Sequence, residues 1–238
     1  MVDKVTYNPW PIGNIPEHLQ RPELKQLKEK GYEFSDPREV VALFENKVAA
    51  FAGSKFAVAV DCCTHAIELS LRYLINKGEL STRSTIYIPA NTYVSIYWML
   101  KQMGFSVRFD EINWEGVYHL SPTAVVDGAV RWIKNMYVGN NSLQCLSFQI
   151  KKPIPIGRGG VILTDVKEAA EWLRLAGYDG RDLNTAYDQP GHVKMNGWHY
   201  YMTPEDAARG ILLMDQIKFS GDSAGWQNYP DLRKILNI

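Results

Sequence analysis

Cysteine is scarce in this 238-residue chain: there are three, and two of them are adjacent as Cys62-Cys63. That excludes a disulfide-stapled secreted scaffold, and the cysteines lack the paired spacing of a zinc site. His119, His65 and Cys63 offer no metal cluster, so no metal is expected. An excess of one charge is also missing, because 26 Lys and Arg balance 26 Asp and Glu. With no long basic run, nucleic acid is not the expected partner. No apolar run approaches the length needed to cross a bilayer, and the polar, proline-containing N-terminus has no apolar signal core. The expectation is a soluble, cytoplasmic protein in a reducing compartment, with no membrane partner. Two catalytic signatures are missing as well. Gly157-Arg158-Gly159-Gly160 lacks the spacing of a dinucleotide loop and leads into a strand instead of a helix, and no nucleophile elbow occurs. There is no internal repeat and no low-complexity tract.

What is present is an ordinary globular composition, 46% apolar and 22% charged, and a length enough for one sizeable domain or for one domain plus an appendage. The pattern divides the chain into an N-terminal arm over 1–35, a main domain over 36–220 and a short tail over 221–238. The arm holds one short helical candidate from Pro22 to Lys30. Asp36-Pro37 supplies a cap and a proline for a helix whose apolar positions are Val40, Val41, Phe44, Val48 and Phe51, with Gly53 at its end. Phe56 to Val60 reads as a strand. Thr64 is expected to open the next helix, and Thr85 to Ile88 to form the second strand. A helix ending at Met103-Gly104 follows, then strands at Phe105 to Phe109, Ala124 to Asp127, Leu143 to Phe148 and Gly160 to Thr164. Val166 to Ala176 reads as a helix, 177–202 as a long polar loop, and Thr203-Pro204 as the start of a strong helix to Phe219. Strands alternating with helices predict an α/β fold of three layers, a mostly parallel sheet with helices on both faces. In such sheets ligands sit at the carboxyl ends of the strands. Thr64, Tyr93, Asp127 and Lys152 all fall at or just past strand ends.

Those residues suit one chemistry. Lys152 follows Ser147 across a short turn between two strands, where a lysine can form a Schiff base with an aldehyde cofactor and a serine can hold a phosphate. Asp127 ends an apolar strand and would face a pyridine nitrogen, keeping it protonated. Thr64 would begin a helix whose amides suit a dianionic phosphate, and Tyr93 could stack on a ring. A phosphate anchor, a carboxylate and a lysine in that order point to pyridoxal 5'-phosphate. The bland alternatives are a solvated Lys-Lys turn, an aspartate that caps a turn, an ordinary N-cap and a core tyrosine.

From about Phe44 to Gln216 the motifs resemble the DegT/StrS family of sugar aminotransferases, enzymes of pyridoxal phosphate fold type I. Cys62-Cys63-Thr64-His65-Ala66-Ile67 sits where the family has Ser-Gly-Thr-x-Ala-Leu. Pro89-Ala90-Asn91-Thr92-Tyr93-Val94-Ser95 is similar to its Pro-x-x-Thr-aromatic-Val-Ala. Val126-Asp127-Gly128-Ala129 matches Glu-Asp-x-Ala, and Ser147-Phe148-Gln149-Ile150-Lys151-Lys152 matches Ser-Phe-His-x-x-Lys. Gly159-Gly160 precedes a strand as in the family, and Gly197-Trp198-His199-Tyr200-Tyr201-Met202 stands at Gly-x-Asn-x-Arg-Met.

The resemblance implies that Lys152 carries the cofactor, Asp127 pairs with its ring nitrogen and Tyr93 stacks on it. Thr64, Ser147 and the backbone near Cys63 would bind its phosphate, with Gln149 beside them. His199 would reach the phosphate of a partner subunit, which implies a homodimer with shared sites. The implied reaction moves an amino group, from glutamate in most members, to a nucleotide-linked keto-sugar, as in polysaccharide biosynthesis. The chain departs from the pattern at Cys63 (glycine in the family), Gln149 (histidine), Val130 (glutamine), His199 (asparagine) and Tyr201 (arginine). The stretch from Asp110 to Asp127 is short, and the C-terminal small domain is largely missing, so a minimal large domain is expected. The competing expectation is a non-catalytic accessory protein on the same fold. A dehydratase or epimerase is disfavoured, because the family's dehydratases replace the lysine by histidine.

Overall fold

The computed structural model describes residues 16–186 and 188–238. The first part of the expected arm, 1–15, lies outside them.

The core of the fold is a five-stranded sheet. Its strands, in spatial order, are β1 (Phe56–Val60), β8 (Gly160–Thr164), β7 (Leu143–Ser147), β5 (Val125–Asp127) and β4 (Tyr118–His119). β7 and β5 are parallel, β8 is antiparallel to both of its neighbours, and β4 pairs antiparallel with β5. Thus β1, β7 and β5 point one way and carry their carboxyl ends to one edge. β2 (Thr85–Pro89) and β3 (Ser106–Asp110) form a parallel pair, joined to the hairpin by a bridge between Tyr87 and Ser121.

Alternation along each strand explains the three layers. Val58, Val60, Ile162, Leu143 and Cys145 face a core shared with α3 (Cys63–Asn76), α4 (Val94–Gln102) and α5 (Lys167–Gly177). Ala57, Ala59, Val161, Leu163 and Leu146 face the opposite core, built with α1 (Glu23–Glu29), α2 (Glu39–Ala52) and α6 (Pro204–Gln216). Phe44 and Phe148 meet edge-on in that second core with ring centres 5.3 Å apart. Burial of each such ring stabilises the fold by about 1.5–3 kcal/mol.

Several element boundaries moved. α2 starts at Glu39, because Asp36 turns the chain by accepting the Arg38 amide at 2.9 Å while the Glu39 carboxylate accepts the Asp36 amide at 3.1 Å. Gly53 ends that helix in the left-handed conformation, φ 79°. Thr64 is not the cap of α3. Cys62 is, with its thiol accepting the His65 amide at 3.5 Å. At the start of α6 the expectation holds, since Thr203 accepts from the Asp206 amide with Pro204 in the first turn, but the helix ends at Gln216, short of the expected Phe219, because Ile217 is extended.

The segments outside the sheet are pinned to it. α1 buries Leu27 completely against the α2 and α6 layer. At the other end, β9 (Gly221–Asp222) pairs with β6 (Arg131–Trp132), and α7 (Leu232–Leu236) buries Leu232 in the first core.

Candidate functional site

At the carboxyl edge of β5 and β7 lies a cavity of about 780 Å³. Cys63, Thr64, Tyr93, Asp127, Ser147, Gln149 and Lys152 all line it, although they are spread over most of the main domain. His199 does not. It is exposed and pairs through Nδ1 with Asp179 at 3.0 Å.

Each lining residue is delivered by a different element. α3 points its N-terminus at the cavity, so Cys63 and Thr64 stand where the helix amides are unpaired and the dipole is positive. The Thr64 hydroxyl is 2.8 Å from that of Ser95, which comes from the first turn of α4. Gly160 explains how β8 and α3 approach so closely. A β-carbon there would lie 2.5 Å from the Cys62 carbonyl carbon and 2.7 Å from the Cys63 amide nitrogen. Ser147 ends β7, and its hydroxyl accepts the Gln149 amide at 3.4 Å. A tight turn follows, in which the Lys152 amide donates to the Gln149 carbonyl at 2.8 Å and the Gln149 side chain accepts the Lys151 amide at 2.8 Å. That turn presents Lys152 to the cavity. Tyr93 caps α4 and is 60% exposed, so its ring is available to a ligand instead of being spent in the core.

Asp127 is buried at the end of β5. Its Oδ1 accepts the Ala129 amide at 2.9 Å and its Oδ2 accepts the Tyr118 hydroxyl at 2.7 Å. Burial raises its pKa above the usual carboxylate value, against the hydrogen bonds from Tyr118 and Ala129 and the positive charge of Lys152. Burial likewise lifts the Cys63 thiol well above its ordinary value, with the Asp127 charge adding to the effect, so Cys63 stays a neutral thiol.

A second cluster borders the cavity. His65 stacks on Tyr200 with ring centres 3.6 Å apart and bonds through Nδ1 to Asp61 at 2.6 Å. Burial opposes a charge on His65, yet the hydrogen bonds to Asp61 and Cys62 outweigh it and raise its pKa to about 9. Asp61, Cys62 and His65 converge closely enough to hold a cation. Their atoms are already engaged with one another, and the Arg158 guanidinium sits on Asp61 at 2.7 Å.

Sequence reading missed a group of lining residues: Thr92, Trp114, Tyr118, Asn228 and Tyr229. Thr92 had a signal, since it lies inside the Pro89–Ser95 motif. Tyr118 is placed by the register of a two-residue strand. The C-terminal segment crosses the cavity because it is tied at both ends. On one side Arg131 holds Asp222 at 2.9 and 2.8 Å. On the other, the Leu232 amide donates to the Ala90 carbonyl at 2.9 Å, and Asn91 bonds the Tyr229 carbonyl at 2.8 Å.

The donor set fits pyridoxal phosphate. It has an amine for the aldehyde, a buried carboxylate for the ring nitrogen, an open aromatic face, and hydroxyls at a helix N-terminus for the phosphate.

The fold is similar to the large domain of pyridoxal phosphate fold type I. It is similar to 3-amino-5-hydroxybenzoic acid synthase, with TM-score 0.63, 19% identity, and 89% of this chain covering 64% of that one. Helicobacter pylori PseC, an aminotransferase of pseudaminic acid biosynthesis, gives TM-score 0.63, 20% identity, 84% of this chain and 64% of that one. Bacillus subtilis NtdA, solved with its cofactor PMP, gives 0.62, 18%, 82% and 52%. This chain therefore spans less than two thirds of the length of these proteins. Among curated proteins no sequence matches. Residues 20–132 match the DegT/DnrJ/EryC1/StrS aminotransferase family. Among the described residues, no helix is long and apolar enough to cross a membrane.

Proposed function

We propose that this chain is a pyridoxal phosphate-dependent aminotransferase that moves an amino group from an amino acid, glutamate in the first instance, to a keto-sugar carried on a nucleotide. The observation that carries the reading is the convergence of Lys152, Asp127, Thr64, Ser147 and Tyr93 on one cavity. The family match and the sugar aminotransferases among the structural neighbours support it.

When bound, the cofactor supplies an electrophilic aldehyde and an electron sink. The residues divide the remaining work. Thr64, Ser147 and the first amides of α3 hold the phosphate and fix its position against the turn that carries Lys152. Asp127, as a carboxylate, holds a proton on the ring nitrogen. Tyr93 would supply an aromatic face for the ring to pack against. Lys152 would hold the cofactor through its amine, and the same Nζ would carry a proton to and from the substrate carbon. Cys63 remains protonated and takes no part as a nucleophile.

We further propose a cytoplasmic homodimer in which the exposed His199 reaches the neighbouring cavity, and a division into the arm 1–35, main domain 36–220 and tail 221–238. Incubation with pyridoxal phosphate and then glutamate tests the activity. Loss of the lysine-bound absorption band, with formation of 2-oxoglutarate, is the expected result. A chain that binds the cofactor but never releases 2-oxoglutarate would instead be an accessory protein on the same fold, or one that uses another donor.

A further inference from the structure

The hairpin β4–β5 sets Tyr118 directly opposite Asp127 in register. Directly opposed residues of an antiparallel pair project to the same face, so the register alone brings phenol and carboxylate together. The Tyr118 hydroxyl carries one proton, and that proton is committed to Asp127 Oδ2 at 2.7 Å. Its oxygen must therefore accept from its other neighbour, the Thr92 hydroxyl, also at 2.7 Å. Thr92, Tyr118 and Asp127 are each at most 6% exposed. Water has little access to replace a missing donor here, and an unmet partner would be costly.

Resting on the cofactor reading above, we propose that Thr92 and Tyr118 are positioning residues. They form a directed relay that locks the plane of the Asp127 carboxylate and leaves it a lone pair for the protonated ring nitrogen of the ligand. The torsion that turns a carboxylate about its last bond is soft. The Ala129 amide on one oxygen and the Tyr118 hydroxyl on the other remove that freedom. Trp114 in turn backs the Tyr118 ring, with ring centres 5.1 Å apart, and its indole nitrogen donates to the Asn91 carbonyl at 2.8 Å, beside Thr92. Other titratable groups face Asp127 from the surrounding elements: Cys63 from α3, Cys145 from β7, Lys152 from the turn after β7 and Tyr229 from the C-terminal segment. Of these, Lys152 carries the opposing charge, while among the described residues Tyr118 is the side chain that donates a hydrogen bond to the carboxylate.

The test compares wild type, Tyr118→Phe and Thr92→Val by carboxyl 13C NMR of the apoprotein, with Asp127 assigned through Asp127→Asn. Loss of a donor to a carboxylate raises its pKa, so Tyr118→Phe is expected to move the Asp127 titration up by about one unit. Thr92→Val is expected to move it the same way by less. In the loaded protein, Tyr118→Phe is expected to weaken pyridoxal phosphate about tenfold or more, the loss of one hydrogen bond to a charged group. Thermal melts confirm that the variants fold, and Trp114→Phe is the packing control, expected to leave the titration in place. An Asp127 titration that superimposes on wild type in Tyr118→Phe would overturn the relay. A wild type that takes up no cofactor would overturn the reading it rests on, which is a separate outcome.

Discussion

Gly160 packs against the backbone of Cys62, so closely that a β-carbon on the glycine would fall 2.5 Å from the Cys62 carbonyl carbon. This contact joins strand β8 to the N-terminus of α3, the end proposed to bind phosphate, and so sets its distance from the turn carrying Lys152. Gly160→Ala must push the helix start away, because the atoms it meets are backbone. We expect a stability loss of about 1–3 kcal/mol, read by urea denaturation, together with weaker pyridoxal phosphate binding. An unaltered cofactor affinity would separate the two features.

His65 predicts a pH dependence of stability. Its folded pKa, about 9, lies above its ordinary 6.5. Its contribution is complete below pH 6.5, decreases as pH rises between the two values, and is gone above about 9. For this partly exposed group the effect is on the order of 2 kcal/mol. His65→Phe keeps a flat ring for Tyr200 and cannot titrate. Its melting temperature should therefore fall less than that of wild type between pH 6.5 and 9.5.

Asp127 behaves as a carboxyl whose burial is tolerated for the sake of the site. Because its folded pKa is raised from 3.8, the apoprotein is stabilised by its protonation and loses that contribution as pH rises through the folded value. In Asp127→Asn this part of the pH profile should flatten. Turnover should fall by roughly 10²–10³, the cost of losing one preorganised electrostatic partner, while Lys152 still captures the cofactor.

Leu232 anchors the segment that crosses the cavity. It is fully buried, so Leu232→Ala should cost about 2–5 kcal/mol. The amides of 223–230 should then exchange faster than those of β7 and β8. Uniform exchange across the chain would mean that the segment does not behave as a separately tied strap.

Much of this was legible in local sequence. Phe56–Val60 and Gly160–Thr164 stand where their apolar runs placed them, and Thr203-Pro204 opens α6 through its own side chain, because short-range chemistry decides those features. The shift from Thr64 to Cys62 at the start of α3 was not legible, since a thiol is an unusual cap and Thr64 turns instead to Ser95. Nor was Tyr118 recognisable. Two-residue strands carry no periodicity, and its importance comes from a register fixed by the rest of the sheet. Tyr229 and Asn228 reach the cavity through ties made far away along the chain, among them Arg131, Trp114, Asn91 and Ala90. Thr64, Asp127, Ser147 and Lys152, which line the cavity, were readable as motifs, whereas Tyr118 and Tyr229 reach it through long-range pairing.

The most direct test is the visible absorption spectrum of the purified chain after addition of pyridoxal phosphate, compared with Lys152→Ala. The account predicts a band of lysine-bound cofactor in wild type that is absent from the variant, while both melt cooperatively. No band in wild type, or the same band in both, would contradict the assignment of Lys152 as the cofactor's anchor.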